Sequence, residues 1–540
     1  MRIVTEGDRR RRAAGPPHRD HHGVPRPLPA RNGTKHSGTR AATHSWFRVH
    51  GSRAGAVVAS GPPPSPLRTR PRGYCHAHVE YVRSQSSGGV LAGAAAVAAG
   101  ATVPGFAAAS AQAAAARPNV LLIVTDDQPK QTEWATPKTV AWLAGQGVRF
   151  TNGHATTPLC APSRSSVFSG RYAHNHGGRN NGASRSLDQH TTLQRYLKQA
   201  GYRTGLFGKY LNSWDLSEAP PHFEEFALLK PSYVDGTFNV DGTVRTVPGY
   251  TTTVVKNRTL AFIDKSRTDD RPWFAYVTPY ASHGPHTPEP KYAGTDVPTW
   301  DGRPSVPEAD RGDKPAYVRD ATQTLADGRL TRAKQLRTLR SVDDAVGAFR
   351  DKLAALGQLD NTLVIYIGDN GFNWADHGLG GKGVPYRPAH EVPFYLSWPG
   401  GGLGGGTTDD RIVANIDIAP TVLDAAGITP DTPHDGRSLL GGYSRDHLLI
   451  EWWRQGTGTE GQNTWSSYVA KDRQYTEYYE LRTDASGDVS GTGRVTFREY
   501  YDLDADPYQL SNGLHRATPA QEKALGIPAL AAALAADRVS

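Results

Sequence analysis

The sequence predicts an α/β protein in which a large, mainly parallel sheet is sandwiched by helices. Three observations predict this class. Short apolar runs alternate with longer stretches of helical pattern along the chain. Most of these runs are continuously apolar, as in strands buried on both faces, and the run at Thr204–Phe207 is a weaker copy. A polar or charged group follows soon after each run, at the sheet edge where ligands of such folds collect. A smaller C-terminal antiparallel sheet with one helix is expected to follow.

Four predicted strands make up the recognisable part of the large sheet. They are Asn119–Val124, Thr204–Phe207, Trp273–Val277 and Thr362–Ile367. Helical patterns separate them, notably over Thr192–Ala200 and Thr331–Leu356. The C-terminal sheet is expected from runs at Trp465–Ala470, Gln474–Glu480 and Val495–Leu503, with a polar turn over Thr483–Thr492 and an Ala-rich helix near Pro519–Asp537.

Paired oxygen side chains follow the first and the last of these strands. Asp126 and Asp127 come after one, and Asp369 and Asn370 after the other. A single aspartate after a strand is more commonly a helix cap or a turn former. Two adjacent carboxylates, however, repel each other unless a cation lies between them. The four oxygen ligands favour Ca²⁺ or Mg²⁺ over zinc.

Cys160 is one of only two cysteines, and the other, Cys75, lies in a segment with the character of a leader. A lone cysteine in an exported chain has no disulfide partner, so it is either incidental or chemically active. The sequence around it is Cys160-Ala-Pro162-Ser-Arg164. The stretch from Pro162 to Phe168 resembles the start of a helix, with proline suitably placed in the first turn.

The basic charge of the chain resides in its N-terminal segment. Residues 1–80 carry a net charge of +11 and the whole chain +9, so residues 81–540 are close to neutral, with 46 basic and 48 acidic side chains. The charge therefore does not indicate a nucleic-acid partner. We expect residues 1–80 to be either a start-site artefact or a disordered basic extension. An Ala/Gly-rich apolar run in residues 81–116, followed by A-x-A sites, predicts a secretory signal peptide rather than a membrane span.

Taken together, these motifs resemble the sulfatases of the alkaline-phosphatase superfamily across residues 117–515. The signature Cys160–Arg164 followed by Ser169-Gly170-Arg171 carries the resemblance, together with Gly208–Asn212, His283–Pro288 and Gly380–Tyr386. These motifs are most similar to those of the N-acetylglucosamine-6-sulfatase and arylsulfatase branch of the family. The resemblance implies a secreted hydrolase of sulfate monoesters, acting on an aryl sulfate or a sulfated sugar.

The resemblance also implies the chemistry of the site. Cys160 would be oxidised to formylglycine by a formylglycine-generating enzyme, and its hydrated aldehyde would attack the ester. One Ca²⁺ would be held by Asp126, Asp127, Asp369, Asn370 and the modified Cys160. Arg164 would steady the formylglycine. The sulfate would be contacted by Lys209, His283 and Lys382, with His283 the candidate general acid or base.

Two positions depart from the family pattern. Many sulfatases have a histidine two residues after the lysine, where this chain has Leu211. The segment Arg387–Glu391 replaces an acidic stretch and an arginine that are common there, so substrate contacts in that loop are open. The expected boundaries are a catalytic domain over 117–440 and a C-terminal subdomain over 446–540. Two other functions stay open: a phosphodiesterase or phosphonate hydrolase of the same superfamily, and an inactive secreted glycan-binding protein.

Overall fold

A computed structural model describes residues 117–454, 464–483 and 489–539. The expectations for residues 1–80 and for the signal peptide in 81–116 concern segments outside the described residues. Within the described residues, no helix combines the length and the apolar character needed to cross a membrane.

Ten strands form one large sheet, two form a short ribbon and four form a separate small sheet. In chain order they are β1 Asn119–Thr125, β2 Val148–His154, β3 Arg203–Gly208, β4 Glu225–Leu229, β5 Val234–Val240, β6 Thr243–Tyr250, β7 Trp273–Thr278, β8 Thr362–Gly368, β9 Asn373–Trp374, β10 Gly380–Gly381, β11 Phe394–Ser397, β12 Thr407–Ala414, β13 Leu448–Trp452, β14 Trp465–Val469, β15 Arg473–Thr483 and β16 Val489–Asp502.

The large sheet has the order β12-β2-β11-β8-β1-β7-β3-β4-β5-β6. Its centre, from β8 to β4, is parallel throughout. Strand β11 joins the centre to β2 by antiparallel pairing, and the hairpin of β5 and β6 closes the other edge. The predicted mainly parallel sheet is confirmed, with antiparallel strands added on both sides of the parallel centre.

Helices cover both faces of this sheet. In chain order, the α-helices of the described residues are α1 Pro137–Thr139 (continued by a π-helical turn over Val140–Ala144), α2 Cys160–Ser169, α3 Ala173–His176, α4 Leu193–Gln199, α5 Thr251–Asp264, α6 Ala316–Arg319, α7 Leu325–Ala355, α8 Arg387–His390, α9 Ile418–Ala425, α10 Pro519–Ala524 and α11 Ile527–Asp537. Of these, α11 packs on the small sheet. Side chains of a strand alternate between faces, and Leu122 and Ile123 of β1 accordingly enter two different cores. Helices α2, α4 and α9 pack in the first core, and α5 and α7 in the second.

The four strands predicted for the large sheet are confirmed as β1, β3, β7 and β8. Uninterrupted burial explains why they could be recognised, because every residue of each is buried. The C-terminal sheet is confirmed too, although β13 at its edge was not predicted. The predicted turn over Thr483–Thr492 is too long, since β15 extends to Thr483 and β16 begins at Val489.

The single Ala-rich helix predicted near Pro519–Asp537 is wrong in one respect, because the structure divides it into α10 and α11. The break lies at Gly526, whose φ of 74° is left-handed and cannot continue a right-handed helix. Pro528 then occupies the first turn of α11, a position where its missing N–H is harmless. Alanine content alone did not reveal this break.

Candidate active site

Cys160 lies at the N-terminus of a buried helix. It is the first residue of α2, after Leu159 in extended conformation, and every residue of the helix is buried. Pro162 stands in the first turn, as predicted. The Ala161 N–H donates to Asn181 Oδ1 at 3.0 Å, which satisfies one of the unpaired donors of the helix end. The positive end of the helix dipole therefore lies at the cysteine side chain.

Two carboxylates approach the sulfur from the end of β1. Cys160 Sγ lies 3.3 Å from Asp126 Oδ1 and 4.0 Å from Asp127 Oδ1. Parallel pairing of β1 with β8 aligns Thr125 with Gly368, so the side chains that follow both strands meet at one edge. The Asp127 N–H donates to Asp369 Oδ1 at 3.0 Å. Asp127 itself has a left-handed backbone, with φ of 57°.

Two lysines face the same group of carboxylates. Lys209 Nζ lies 2.6 Å from Asp126 Oδ2. Lys382 Nζ donates to Cys160 Sγ at 2.8 Å and contacts Asp127 Oδ1. Lys209 is positioned by a close approach of backbones, because a Cβ on the preceding Gly208 would lie 1.9 Å from the Thr278 carbonyl oxygen. Only glycine fits at that strand end.

Arg164 is fully buried and joins the strand ends to the helix. Its Nε donates to Asp369 Oδ2 at 2.9 Å, and its Nη2 lies 3.5 Å from Asp126 Oδ2. Its Nη1 donates to the Lys209 carbonyl oxygen at 3.2 Å and to the Thr278 hydroxyl. A buried guanidinium of this kind holds its carboxylate neighbours in fixed positions.

His283 presents one ring nitrogen to the site. Its Nε2 lies 3.7 Å from Asp127 Oδ2, and its ring stacks on Tyr280 with centroids 4.9 Å apart. Its Nδ1 lies 2.9 Å from the Gly284 carbonyl oxygen, which can only accept, so Nδ1 carries the proton and Nε2 is left to face the site. His286 instead bonds the Ser282 carbonyl oxygen through Nδ1 at 2.6 Å.

The opposed charges stabilise each other. Burial raises the pKa of Asp126, but Lys209 and His283 outweigh it and hold that pKa well below its ordinary value. The pKa of Asp127 is lowered in the same way, by the ammonium group of Lys382. Burial lowers the pKa of Lys382, yet the Asp127 carboxylate raises it well above its ordinary value. Burial and then Asp126 raise the pKa of the Cys160 thiol to about 12, so the thiol is neutral beside charged neighbours.

The residues fit a hard divalent cation. Ligand atoms of Asp126, Asp127, Cys160 and His283 all lie within 4.8 Å of one another. Asn370 Oδ1 is buried beside them and accepts no hydrogen bond from the described residues, while Asn370 Nδ2 donates to Asp127 Oδ1 at 2.8 Å. Carboxylate and amide oxygens are the ligands that such ions prefer.

The structure brings every predicted site residue to one place, but the contacts of Asp369 and His283 differ from those that were predicted. Both oxygens of Asp369 already accept hydrogen bonds, one from the Asp127 N–H and one from Arg164. His283 joins the group of candidate ligands, whereas the resemblance implied a sulfate contact and a general acid or base. Leu211, where many sulfatases have histidine, is buried in the core beneath the sheet.

Lys382 is held by the small sheet, which sequence patterns did not reveal. All four strands of that sheet contact the segment that follows the lysine, residues 383–386. The Trp452 ring of β13 packs so closely on Gly383 that a Cβ there would lie 2.5 Å from it, and Trp465 Nε1 of β14 donates to the Gly383 carbonyl oxygen at 3.1 Å. Gln474 Nε2 of β15 donates to the Pro385 carbonyl oxygen at 2.6 Å. The Tyr386 hydroxyl donates to Glu499 Oε1 of β16 at 3.0 Å.

Other supporting residues were also missed. Thr278 and Tyr276 of β7 bond Arg164, and Tyr280 packs on His283. Thr278 directly follows the run predicted as a strand, which is the one signal that could have identified it. Asn181 follows α3 in a segment without apolar periodicity, so nothing local pointed to it.

Comparisons with known proteins identify the family of this chain. A family model described as sulfatase matches residues 118–428, and one described as the C-terminal part of N-sulphoglucosamine sulphohydrolase matches residues 375–524. A Caenorhabditis elegans homologue of the extracellular sulfatase Sulf-1 is 36% identical over 348 residues, 60% of this chain and 48% of the relative. Human N-acetylglucosamine-6-sulfatase is 30% identical over 448 residues, 73% of this chain and 81% of the relative. The chain thus spans about half the length of the first relative and most of the second.

Solved structures share the fold. A protein in complex with its substrate D-glucosamine-2-N,6-O-disulfate superimposes with a TM-score of 0.68 at 21% identity, over 78% of this chain and 97% of that one. A phosphonate monoester hydrolase of Agrobacterium radiobacter reaches a TM-score of 0.61 at 22% identity, over 78% and 96%. The fold therefore accommodates more than one type of anionic ester.

Proposed function

This chain belongs to the sulfatase family, and from that premise we propose that it is a secreted hydrolase of sulfate monoesters. The observation that carries the proposal is the position of Cys160 at a helix N-terminus, with Lys382 Nζ 2.8 Å from its sulfur and Asp126 Oδ1 at 3.3 Å. The nucleophile position thus lies beside a lysine, which attracts an anion, and beside a carboxylate, which attracts a cation.

A sulfate monoester is an anion, and an attacking oxygen must overcome its negative charge. Lys209 supplies a buried ammonium group and Lys382 a partly buried one, and the helix end adds backbone N–H donors. Such groups stabilise charge that develops on the sulfuryl oxygens, and they are more effective in a site that excludes water. Arg164 holds Asp126 and Asp369 in place rather than meeting the substrate, since its hydrogen bonds are to protein groups.

We assign a Ca²⁺ to Asp126, Asp127, Asp369 and Asn370, with formylglycine made from Cys160 as a further ligand. The unpartnered Asn370 Oδ1 supports the assignment. When bound, the ion would supply positive charge against the ester oxygens, and the hydrated formylglycine would supply the attacking hydroxyl. An oxygen in place of the thiol sulfur also suits a hard cation better.

His283 is the group placed to move a proton. Its Nδ1–H is engaged by the Gly284 carbonyl oxygen, and its Nε2 faces the site with the side chain 31% exposed. A histidine held in this tautomer can accept a proton from a hydroxyl at its free ring nitrogen, and the imidazolium so formed can donate that proton to a departing ester oxygen. We propose this role for His283 because Leu211 is buried in the core and carries no such group.

The substrate class that we propose is a sulfated sugar, with aryl sulfates as surrogate substrates. Support comes from the relative named N-acetylglucosamine-6-sulfatase and from the neighbour solved with a sulfated glucosamine. Export is supported by the signal-like segment before residue 117 and by the extracellular Sulf-1 relative.

The deciding experiment compares a sulfate ester with two phosphorus esters. The chain is produced together with a formylglycine-generating enzyme, and the peptide that contains Cys160 is analysed by mass spectrometry for loss of the thiol and gain of an aldehyde. Turnover of 4-nitrophenyl sulfate is then compared with that of 4-nitrophenyl phosphate and a phosphonate monoester. Preference for sulfate is expected. Preference for phosphorus would assign the chain to phosphoryl chemistry, and sugar binding without turnover would indicate a binding protein.

A further inference from the structure

A cavity of about 200 Å³ lies next to the candidate active site and is not used by the chemistry above. Lys130 lines it, three residues after Asp127, and three residues of chain span at most about 11 Å. Pro388 lines it as well, and its carbonyl oxygen accepts the N–H of Phe372, two residues after Asn370. The cavity therefore lies one short segment of chain away from the groups that follow β1 and β8.

Positive charge exceeds negative charge in this cavity. Three cationic side chains line it, those of Lys130, Arg303 and Arg387, and one carboxylate, that of Glu391. Glu391 lies 2.6 Å from Arg387 Nε and 3.5 Å from Lys130 Nζ. The only carboxylate paired with Arg303 among the described residues is Asp376, which is fully buried. One cationic charge remains in excess after these pairs are counted.

The guanidinium groups of Arg303 and Arg387 have N–H donors that no acceptor of the described residues occupies. Each arginine has five N–H donors. Arg387 uses Nε for Glu391 and Nη1 for the Pro507 carbonyl oxygen. Arg303 uses Nε for Gln131 and Nη1 for Asp376. In the described part of the chain, the Nη2 groups of both side chains donate to no protein acceptor. Planar donors of this kind suit a carboxylate or a sulfate.

The rest of the wall is suited to a sugar ring. Pro388 and Tyr508 contribute apolar surface, and the Tyr508 side chain is 39% exposed. A few convergent polar groups on an apolar wall are typical of small-molecule sites. This is also the segment, Arg387–Glu391, that departs from the pattern common in the family, so the cavity is built partly from residues of that segment.

We propose that this cavity binds a second anionic group of the substrate, a carboxylate or a sulfate on a sugar next to the one that carries the scissile ester. The proposal rests on the proposed sulfatase function and makes it more specific. The preferred substrate is then an anionic oligosaccharide rather than a sulfated monosaccharide. The cavity contributes to affinity for the remote group and takes no part in bond cleavage.

The test compares three substrates that share the scissile group. The first is 6-O-sulfated N-acetylglucosamine, which has no second anion. The second is a tetrasaccharide in which 6-O-sulfated glucosamine alternates with uronic acid, and the third is the same tetrasaccharide after carboxyl reduction. The variants are Arg387→Gln and Lys130→Gln, and Lys265→Gln, an exposed lysine paired with Glu225, is the matched control.

Arg387→Gln and Lys130→Gln should each lower kcat/KM for the tetrasaccharide about tenfold through KM, the effect of losing one charged hydrogen bond. Activity on the monosaccharide should stay within about twofold, and the effect should weaken at high salt. If carboxyl reduction of the substrate removes the difference, the bound group is the carboxylate; if it does not, the group is a sulfate. Equal losses on all substrates, or none on the tetrasaccharide, would overturn the proposal.

A binding measurement separates this proposal from the proposed function. Calorimetry with the inert Cys160→Ala variant should show about tenfold weaker tetrasaccharide binding when Arg387→Gln is added. That outcome supports the cavity even if wild-type protein proves to hydrolyse no sulfate. Unchanged affinity would exclude the cavity whatever the enzyme hydrolyses.

Discussion

Asp126, Lys209 and Asp369 follow directly after long strands of the large sheet, whereas Lys382 follows a two-residue strand and continues into a segment without regular structure. The first group is positioned by the backbone pairing of β1, β3, β7 and β8. Lys382 depends on the small sheet, whose strands contact residues 383–386 one after another. One half of the site is thus held by the sheet whose strands carry it, and the other half by a separate sheet about 70 to 120 positions further along the chain.

This difference has consequences for how substitutions act. A change at a strand end removes a reacting or ligating group while the sheet that carries it remains. A change in the small sheet leaves all reacting groups in the chain but releases the segment that positions Lys382. Four predictions test the comparison, in order of decreasing effect.

Both halves of the site should lose their function without the nucleophile position at the start of α2. Cys160→Ala is expected to reduce kcat by more than about 10⁴-fold, because the attacking group is removed. Thermal unfolding should show that the variant is folded, since only a sulfur atom is lost. Measurable turnover above about 1% of wild type would mean that Cys160 is not the nucleophile position.

Asp126→Asn should abolish calcium binding and remove the buried ion pair with Lys209. Calcium binding measured by calorimetry is expected to be lost, and kcat/KM to fall about 10³-fold. The free energy of unfolding should fall by about 3–5 kcal/mol, because Lys209 loses its buried partner. Asp343→Asn is the matched control, a buried carboxylate on α7 that bonds the Thr139 N–H. It should lose stability and keep calcium affinity; loss of calcium in both variants would refute the assignment.

The loss of activity caused by His283→Gln should depend on the leaving group of the substrate. Proton donation is worth about 10²–10⁴-fold when the departing oxygen is strongly basic, and little when it is a stable phenolate. We therefore expect the variant to be most impaired on alkyl sulfates and least on 4-nitrophenyl sulfate. Measuring kcat/KM across aryl sulfates of graded phenol pKa tests this. A uniform loss along the series would point to sulfate binding in place of proton transfer.

The distant half of the site can be tested with two tyrosines that share one acceptor. Tyr386 and Tyr501 both donate to Glu499 Oε1, at 3.0 and 2.6 Å, but only Tyr386 belongs to the Lys382 segment. Tyr386→Phe and Tyr501→Phe should each cost about 1 kcal/mol of stability. Only Tyr386→Phe should also lower kcat/KM, by up to about tenfold. Equal activities in the two variants would show that the small sheet stabilises the fold without positioning Lys382.

Much of the large sheet and of the nucleophile region could be predicted because the signals are local. Strands buried on both faces are continuous apolar runs, and the residue after each run lies at the sheet edge by necessity. The position of Pro162 in the first turn of α2 follows from the same kind of local rule. The break at Gly526 was missed because a helical composition does not show where a single residue adopts a left-handed backbone.

By itself, the sequence determined the α/β class, the strands β1, β3, β7 and β8, and the group of residues around Cys160. It did so because periodicity, strand ends and motif spacing depend on residues close together in the chain. Only the tertiary structure decided that Arg164 pairs with Asp369, that the small sheet holds Lys382, and that Arg387 lines a cationic cavity. These contacts join residues between about 80 and 260 positions apart. Their geometry follows from how helix α2, the large sheet and the small sheet pack together, which no local pattern contains.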